Sequence, residues 1–343
     1  EALFQDVSRF NERIMGPAHA SATVNLACRE AIYNRCVSHI TCPVDVQEME
    51  LPGEKSKRNV PEHISQAIPC PLQVPTEQDL KSAADILNKS KRPVILCGQG
   101  ALHAGDILLD VANLTGAPVV KALLGKAVAP DDHPLVMGGL GLLGTYPSEQ
   151  AMEGCDALLM VGTSFPYMDY LPKPGQARGI QIEIAPERIG LRYPVEVGLI
   201  GDSELTLEML RPLLNYKRDR FWIEELQDSK RDWMKLLEER GTRKDVPIKP
   251  QVVAHELSSL LDDDAIISTD SGTITTWIAR HLMIKKGQKF SVSGNLASMA
   301  CGLPYAIAAK LAYPERQSVC FIGDGGFTML MGEFVTAVKY NLP

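Results

Sequence analysis

Apolar and polar residues change rhythm several times along this chain, and each change predicts an element. From Thr76, the stretch "TEQDLKSAADILNKS" sets Leu80, Ala83, Ala84 and Leu87 at helical spacing behind a Thr in the N-cap position. "RPVILCG" follows as a short unbroken apolar run, which predicts a buried strand. "APVVKA", "DALLMVGT", "GIQIEI" and "VGLIGD" repeat it, separated by helical or turn-rich segments. Alternation of this kind predicts an α/β domain over residues 76–215, a mostly parallel sheet with helices on both faces. Residues 216–248 are charged and helical, exemplified by "FWIEELQDSKRDWMKLLEERG", and predict a solvated connector. From 249 the alternation resumes through "PQVVAHELSSLL", "DAIISTDSG", "QKFSVSG" and "QSVCFIGDGG" to a last helix with Leu330, Phe334, Ala337 and Val338 on one face. This is a second α/β unit, 249–343. Before the first domain, "SATVNLACREAIYNR" predicts a helix with Val24, Ala27, Cys28 and Ile32 on one face, and "VSHITCPVDV" a strand. Residues 51–75 carry five prolines and the mixed-charge run "GEKSKR", a linker composition.

Composition narrows the class. At 343 residues the chain is too long for one ordinary core. Its net charge of −7 is spread without a basic stripe, which argues against nucleic acid as a partner. No apolar run reaches membrane-spanning length, and eight scattered cysteines include no C-x-x-C pair. A reduced, cytoplasmic protein is expected, with peripheral attachment at an inner membrane left open. Histidines 39, 63, 103, 133 and 281 show no metal spacing. The chain opens on Glu1 and stops at Pro343 inside the second α/β unit, so both ends are expected to be cuts through something larger.

Three strand-to-helix junctions carry candidate chemistry. In the first, "SVCFIGDGG", a strand over 318–322 runs into Gly323, Asp324, Gly325 and Gly326. Glycines let backbone approach a phosphate, the next helix presents its first amides to an anion, and Asp324 supplies a hard oxygen for Mg²⁺. In the second, "SGNLASMACGLPYAIAAKLA", Ala297 and Ser298 form a small-residue loop before a helix expected to begin near Met299. The third, "STDSGTITTWIARH", offers Gly272 and Thr273 among its donors after a strand ending at Thr269. Taken singly, the first is equally a tight turn and the third equally a capped helix start, while the second reads better as a close-packed helix start with Met299 as filler. Their spacing fits one sheet, and together they point to one site for a diphosphate and its metal.

With these three stretches in place, the sequence resembles the thiamin-diphosphate-dependent 2-oxo acid enzymes of the pyruvate oxidase and acetohydroxyacid synthase group. "PERQSVCFIGDGGFTMLMGEF", "LASMACGLPYAIAAKLAYPERQ" and "DSGTITTWIARHL" carry the likeness, which extends over nearly the whole chain and is nearest to the pyruvate oxidase branch. The resemblance implies thiamin diphosphate held by Gly272, Thr273, Ala297, Ser298, Met299 and Gly323–Gly326, with Mg²⁺ on Asp324 and Met299 as an apolar prop under the cofactor. It implies a Rossmann-like middle domain for FAD, lined by Leu140, Gly141, Leu142 and Leu143 and by Gly162, Thr163, Ser164, Phe165 and Pro166. Glu183 would stand at the ribose and Asp202 at the adenine. "LCGQGALHAG" offers Gly98 and Gly100 after a strand, but His103 takes the third glycine place, so this part of the fingerprint is weak. The implied reaction is oxidative decarboxylation of pyruvate or a related 2-oxo acid to acetate and CO₂, electrons passing to quinone or oxygen, in a homo-oligomer, dimer or tetramer. An acetohydroxyacid synthase-type carboligase is the alternative. The group's catalytic Glu and a second metal ligand, Asn, fall outside the matched residues, so no catalytic residue is expected in this chain. If 343 residues were the whole protein, a non-catalytic nucleotide-binding module would follow.

Overall fold

The computed structural model describes residues 1–50 and 72–343, which fall into two compact units, Glu1–Leu72 and Gln73–Pro343. The linker expected over 51–75 lies mostly outside the described residues.

In the first unit, β1 (Phe10–Arg13) and β2 (Ser38–Thr41) pair in parallel through α1 (Pro17–Asn34), and a single turn, α2 (Val44–Gln47), follows. β1 was not visible as a strand because "FNER" is mostly polar. Of the expected helix face only Ala27 is buried, together with Thr23; Val24, Cys28 and Ile32 are exposed, since a two-stranded sheet covers little of an 18-residue helix.

The second unit begins with α3 (Glu77–Lys89). Thr76 caps it, its hydroxyl oxygen accepting from Asp79 N at 3.2 Å, and Leu80, Ala83, Ala84 and Leu87 are buried as the spacing predicts. There follow β3 (Pro93–Cys97), α4 (Gly105–Thr115), β4 (Val119–Lys121), β5 (Val136–Gly139), α5 (Tyr146–Gly154), β6 (Ala157–Val161), β7 (Arg178–Glu183), β8 (Val197–Ile200) and α6 (Ser203–Leu210). The six strands form one parallel sheet in the order β5-β4-β3-β6-β7-β8. The order reverses direction between β3 and β6, as in doubly wound nucleotide-binding folds. Every position of β3 and β6 is buried, so both faces of the sheet are covered.

Next comes α7 (Phe221–Gly241), and here the solvated connector is corrected. The helix is amphipathic. It buries Trp222, Ile223, Leu226 and Leu237 and packs against α5. Trp222 Nε1 donates to Pro93 O at 3.2 Å, so a buried ring keeps its hydrogen bond. Four apolar positions among many charges were enough, because a helix needs only one buried stripe.

The unit continues with α8 (Pro250–Leu260), β9 (Ile266–Thr269), α9 (Thr273–His281), β10 (Lys289–Ser291), α10 (Gly302–Ala312), β11 (Ser318–Phe321), α11 (Asp324–Met329) and α12 (Glu333–Lys339). The three strands pair in parallel in the order β10-β9-β11. Two expectations need correction. The last helix is two short ones, broken around Leu330–Gly332 where a glycine lowers helical preference, and of its expected face only Ala337 is buried. The helix expected from Met299 starts at Gly302, because Ala297 and Ala300 take left-handed backbone, φ 51° and 68°.

The two sheets share a core. Leu123, Leu124 and Ala127, which follow β4, pack on Ile267, Ile278, Leu282 and Phe290 of the second sheet and its helices. No helix among the described residues is long and apolar enough to cross a membrane.

Candidate functional site

All three singled-out junctions fall at the carboxyl ends of β10-β9-β11, where a parallel sheet receives ligands. Thr269 Oγ1 donates to Phe321 O at 2.8 Å and ties the ends of β9 and β11. The next residue, Asp270, is 1% exposed and meets all three junctions. Its Oδ2 accepts from Ala300 N at 2.7 Å, and its Oδ1 from Cys301 N at 3.0 Å. Its backbone carbonyl accepts from Thr275 Oγ1 at 2.6 Å, fixing the first turn of α9. A Cβ on Gly326 would overlap Asp270 Oδ2, so the Gly-Asp-Gly-Gly turn closes directly over this carboxylate and only glycine fits. In the sequence Asp270 is simply the first residue of the loop after Thr269. A lone Asp after a strand gives no hint that it gathers two distant segments.

Around this hub the expected ligands lie open. Gly272, Thr273, Ala297, Ser298, Met299, Asp324 and Gly325 are exposed; Gly323 is half-buried and Gly326 buried. Cβ atoms on Gly272, Gly323 and Gly325 would meet nothing within 4 Å, so free space stands in front of backbone at two of the turns. Ser271 Oγ donates to Ser293 O and Ser293 Oγ accepts from Ser298 N, both at 3.2 Å, which holds the small-residue loop to the third junction. The arrangement fits a diphosphate. Asp324 can give one hard carboxylate oxygen to Mg²⁺, an ion that takes one or two carboxylates and completes its shell with phosphate oxygens and water. Among the described residues no three His, Cys, Asp or Glu come together as a metal cluster. Burial, with Asp270 and Cys301 adding to it, pushes the Cys320 thiol up to about 11, so it stays protonated as a small apolar filler.

The middle-domain candidates divide. Gly141, at φ 96°, lies against the Phe165 ring, where a Cβ would approach to 3.3 Å; the loops 140–143 and 162–166 therefore come together. Leu140, Thr163 and Phe165 are buried, Gly162, Leu143 and Ser164 half-buried, and Leu142 and Pro166 exposed. Phe165 and Tyr167 stack edge to face at 5.6 Å. Glu183 is buried at the end of β7, its Oε1 accepting from Ile184 N at 3.0 Å. Asp202 is engaged locally. It caps α6 by accepting from Glu204 N and Leu205 N, and His103 Nε2 lies 3.0 Å from its other oxygen. The space beside Gly98 and Gly100 is filled. A Cβ on Gly98 would lie 2.6 Å from Thr163 Cβ and one on Gly100 2.8 Å from Gly162 Cα, so these glycines pack loop on loop.

One contact joins the two regions. Arg280, at the end of α9, donates to Leu142 O at 2.8 Å and Gly144 O at 3.1 Å. The helix that begins at the candidate diphosphate turn ends on the 140–143 loop. No sequence pattern marked Arg280.

Comparison with known proteins agrees with this architecture. The central domain of thiamine pyrophosphate enzymes matches residues 80–210, and their C-terminal TPP-binding domain matches 270–343. The chain belongs to the thiamine pyrophosphate enzymes. It is similar to YdaP of Bacillus subtilis, whose name gives it as thiamine pyrophosphate-containing, at 41% identity over 343 residues, covering 100% of this chain and 58% of that one. It is similar to the pyruvate oxidase of Lactiplantibacillus plantarum at 26% over 342 residues, 99% of this chain and 56% of that one. With the acetolactate synthase isozyme 3 large subunit of Escherichia coli it shares 30% over 307 residues, 85% of this chain and 52% of that one. The chain thus spans a little over half the length of these relatives.

Proposed function

We propose that the protein containing this chain decarboxylates pyruvate or a related 2-oxo acid with thiamin diphosphate and Mg²⁺, and passes the electrons through FAD in the middle domain to quinone or oxygen. The observation that carries the reading is α9. It starts at Gly272–Thr273, beside the diphosphate turns, and ends with Arg280 holding the carbonyls of Leu142 and Gly144 at the candidate flavin loop. Nine helical residues span roughly 13 Å, so the two cofactors would sit within reach for electron transfer.

Thiamin diphosphate, when bound, supplies the nucleophilic carbon that adds to the 2-oxo group and accepts the electron pair left by departing CO₂. The chain's own residues bind and orient. Asp324 would hold Mg²⁺, the amides of Gly325 and Gly326 would face the diphosphate, and Met299, half exposed, would support the cofactor from the apolar side. In the middle domain, Leu142 and Pro166 would shield a flavin and Glu183 would accept from ribose hydroxyls. The active assembly is a homo-oligomer.

The second reading is the carboligase, favoured by similarity to an acetolactate synthase. One experiment separates the two. The purified protein at its natural length is scanned for flavin absorbance and given pyruvate without oxygen. Bleaching with acetate as product supports the oxidase. Acetolactate without bleaching establishes the carboligase, and neither product removes both.

A further inference from the structure

We propose that Asp270 is a positioning residue that sets the turn carrying Met299, without touching the cofactor itself. The inference rests on reading Met299 as the prop beneath thiamin diphosphate and adds what holds that prop in place. Met299 lies between two constrained residues, Ala297 at φ 51° and Ala300 at φ 68°. Non-glycine residues in this region are strained and persist only where their surroundings hold them. The holding group is visible. Both Asp270 oxygens face the residues just after Met299, at 2.7 Å to Ala300 N and 3.0 Å to Cys301 N, and the Cys301 thiol lies 3.5 Å from Oδ1. Cys301 is the N-cap of α10 and Ala300 precedes it, so neither amide has an intrahelical acceptor. One carboxylate, with an acceptor at each oxygen, meets both. Among the described residues no other side chain gives that turn two acceptors. Gly326 matters from the other side, because a methyl there would overlap Oδ2 and push the carboxylate off these amides. One buried side chain thus sets the prop and fits beneath the Gly-Asp-Gly-Gly turn.

The test uses Asp270→Asn, Gly326→Ala, Met299→Ala and the double variant Asp270→Asn/Met299→Ala in the protein at its natural length. Asparagine keeps the shape but offers an acceptor at one atom only. Hydrogen exchange of the peptide covering 294–302 is expected to rise at least tenfold in Asp270→Asn and in Gly326→Ala, with peptides from 93–97 and 157–161 unchanged. Thiamin diphosphate affinity in Asp270→Asn should change less than threefold. Its kcat should fall at least tenfold with KM for the 2-oxo acid held, and the loss should not add to that of Met299→Ala. Unchanged exchange at 294–302, or additive losses, overturns the positioning role. If Asp270→Asn does not fold, Gly326→Ala alone decides by the same exchange readout. If Met299→Ala leaves kcat intact, the reading of the site fails, whatever Asp270 does to exchange.

Discussion

Lys121 Nζ lies 2.6 Å from Asp131 Oδ1, and both side chains are almost fully buried where the two sheets of the larger unit meet. The pair does not stand alone. Lys126 Nζ reaches the other Asp131 oxygen at 3.1 Å and the Ala279 carbonyl at 3.1 Å, and that same oxygen accepts from Ile284 N at 2.8 Å. Lys121 also donates to the carbonyls of Lys126 and Ala129. Burial pushes the Asp131 carboxyl up, but the two ammonium groups outweigh it and hold it down to about 2. Removing one partner of a buried pair strands the other. Asp131→Ala, which leaves two buried ammonium groups and a free Ile284 amide, is expected to destabilise the unit by roughly 3–5 kcal/mol. Lys121→Met should cost less, since Lys126 still pairs with Asp131. Urea denaturation followed by tryptophan fluorescence gives both values, and equal costs would contradict the arrangement.

Trp222 gives the second prediction. It is 8% exposed, bonded to Pro93 O, and lies under the Arg92 guanidinium at 5.4 Å. Trp222→Ala should cost about 3–5 kcal/mol. Gly154 faces the ring so closely that a Cβ there would come to 2.6 Å, so Gly154→Ala should destabilise through the same contact. The two losses should be far from additive, because the smaller side chain at 222 makes room for the methyl at 154. A double-mutant cycle by thermal unfolding checks this, and additive losses would remove the contact as the cause.

Much of this architecture was legible from pattern alone. The cores of strands such as Pro93–Cys97 and Ala157–Val161 have no polar residue to confuse the signal, and Thr76 announced its helix by capping chemistry. The three phosphate-type junctions stood out because glycine after an apolar run is uncommon without a turn or a close approach. Side-chain relationships between distant segments were not legible. Asp270 reaches Ala300 and Cys301, Arg280 reaches Leu142, and Lys121 reaches Asp131 only after the sheets have formed. Local signals also misled. "MLMGEFVTAVKY" has helical spacing, yet the glycine breaks it, and the left-handed pair around Met299 delayed a helix whose composition favours an earlier start.

Glycines at positive φ separate strain from collision. Gly162 has φ 56°, and a Cβ there would stand 2.5 Å from the carbonyl carbon of Gly100, backbone that cannot give way. Gly175 has φ 85° and open space around it. Gly175→Ala should cost only the conformational term, roughly 1 kcal/mol. Gly162→Ala should cost at least about 2 kcal/mol more, since loops 98–100 and 162–166 must part. The same variant should lower flavin content in the purified protein, as the 162–166 loop is the proposed flavin lining. Chemical denaturation and absorbance at the flavin band measure the two effects, and equal costs for the two alanines would show that the loop contact is slack.

His281 closes α9 and brings a pH dependence with a defined sign. It is 5% exposed, and its Nδ1 is buried without a hydrogen-bond partner. Burial, with repulsion from His255, Arg240 and Arg280, pushes its pKa from the ordinary 6.5 down to about 4. Between those values the unfolded chain binds a proton that the folded chain refuses. By linkage, stability therefore rises with pH from about 4 to 6.5, is complete above that, and is lost on acidification through the same window. With part of the shift discounted for nearby solvent, the loss should be on the order of 2 kcal/mol. His133 is shifted the same way by burial and Lys230 and adds a smaller slope, while Asp131 titrates below the window. His281→Phe, close in size and without a proton to gain, should flatten most of the decline. Melting temperatures across pH 4.5–7 for the two proteins decide it. Parallel curves would mean that His281 finds a proton acceptor on folding, and that the buried ring is not what acid attacks.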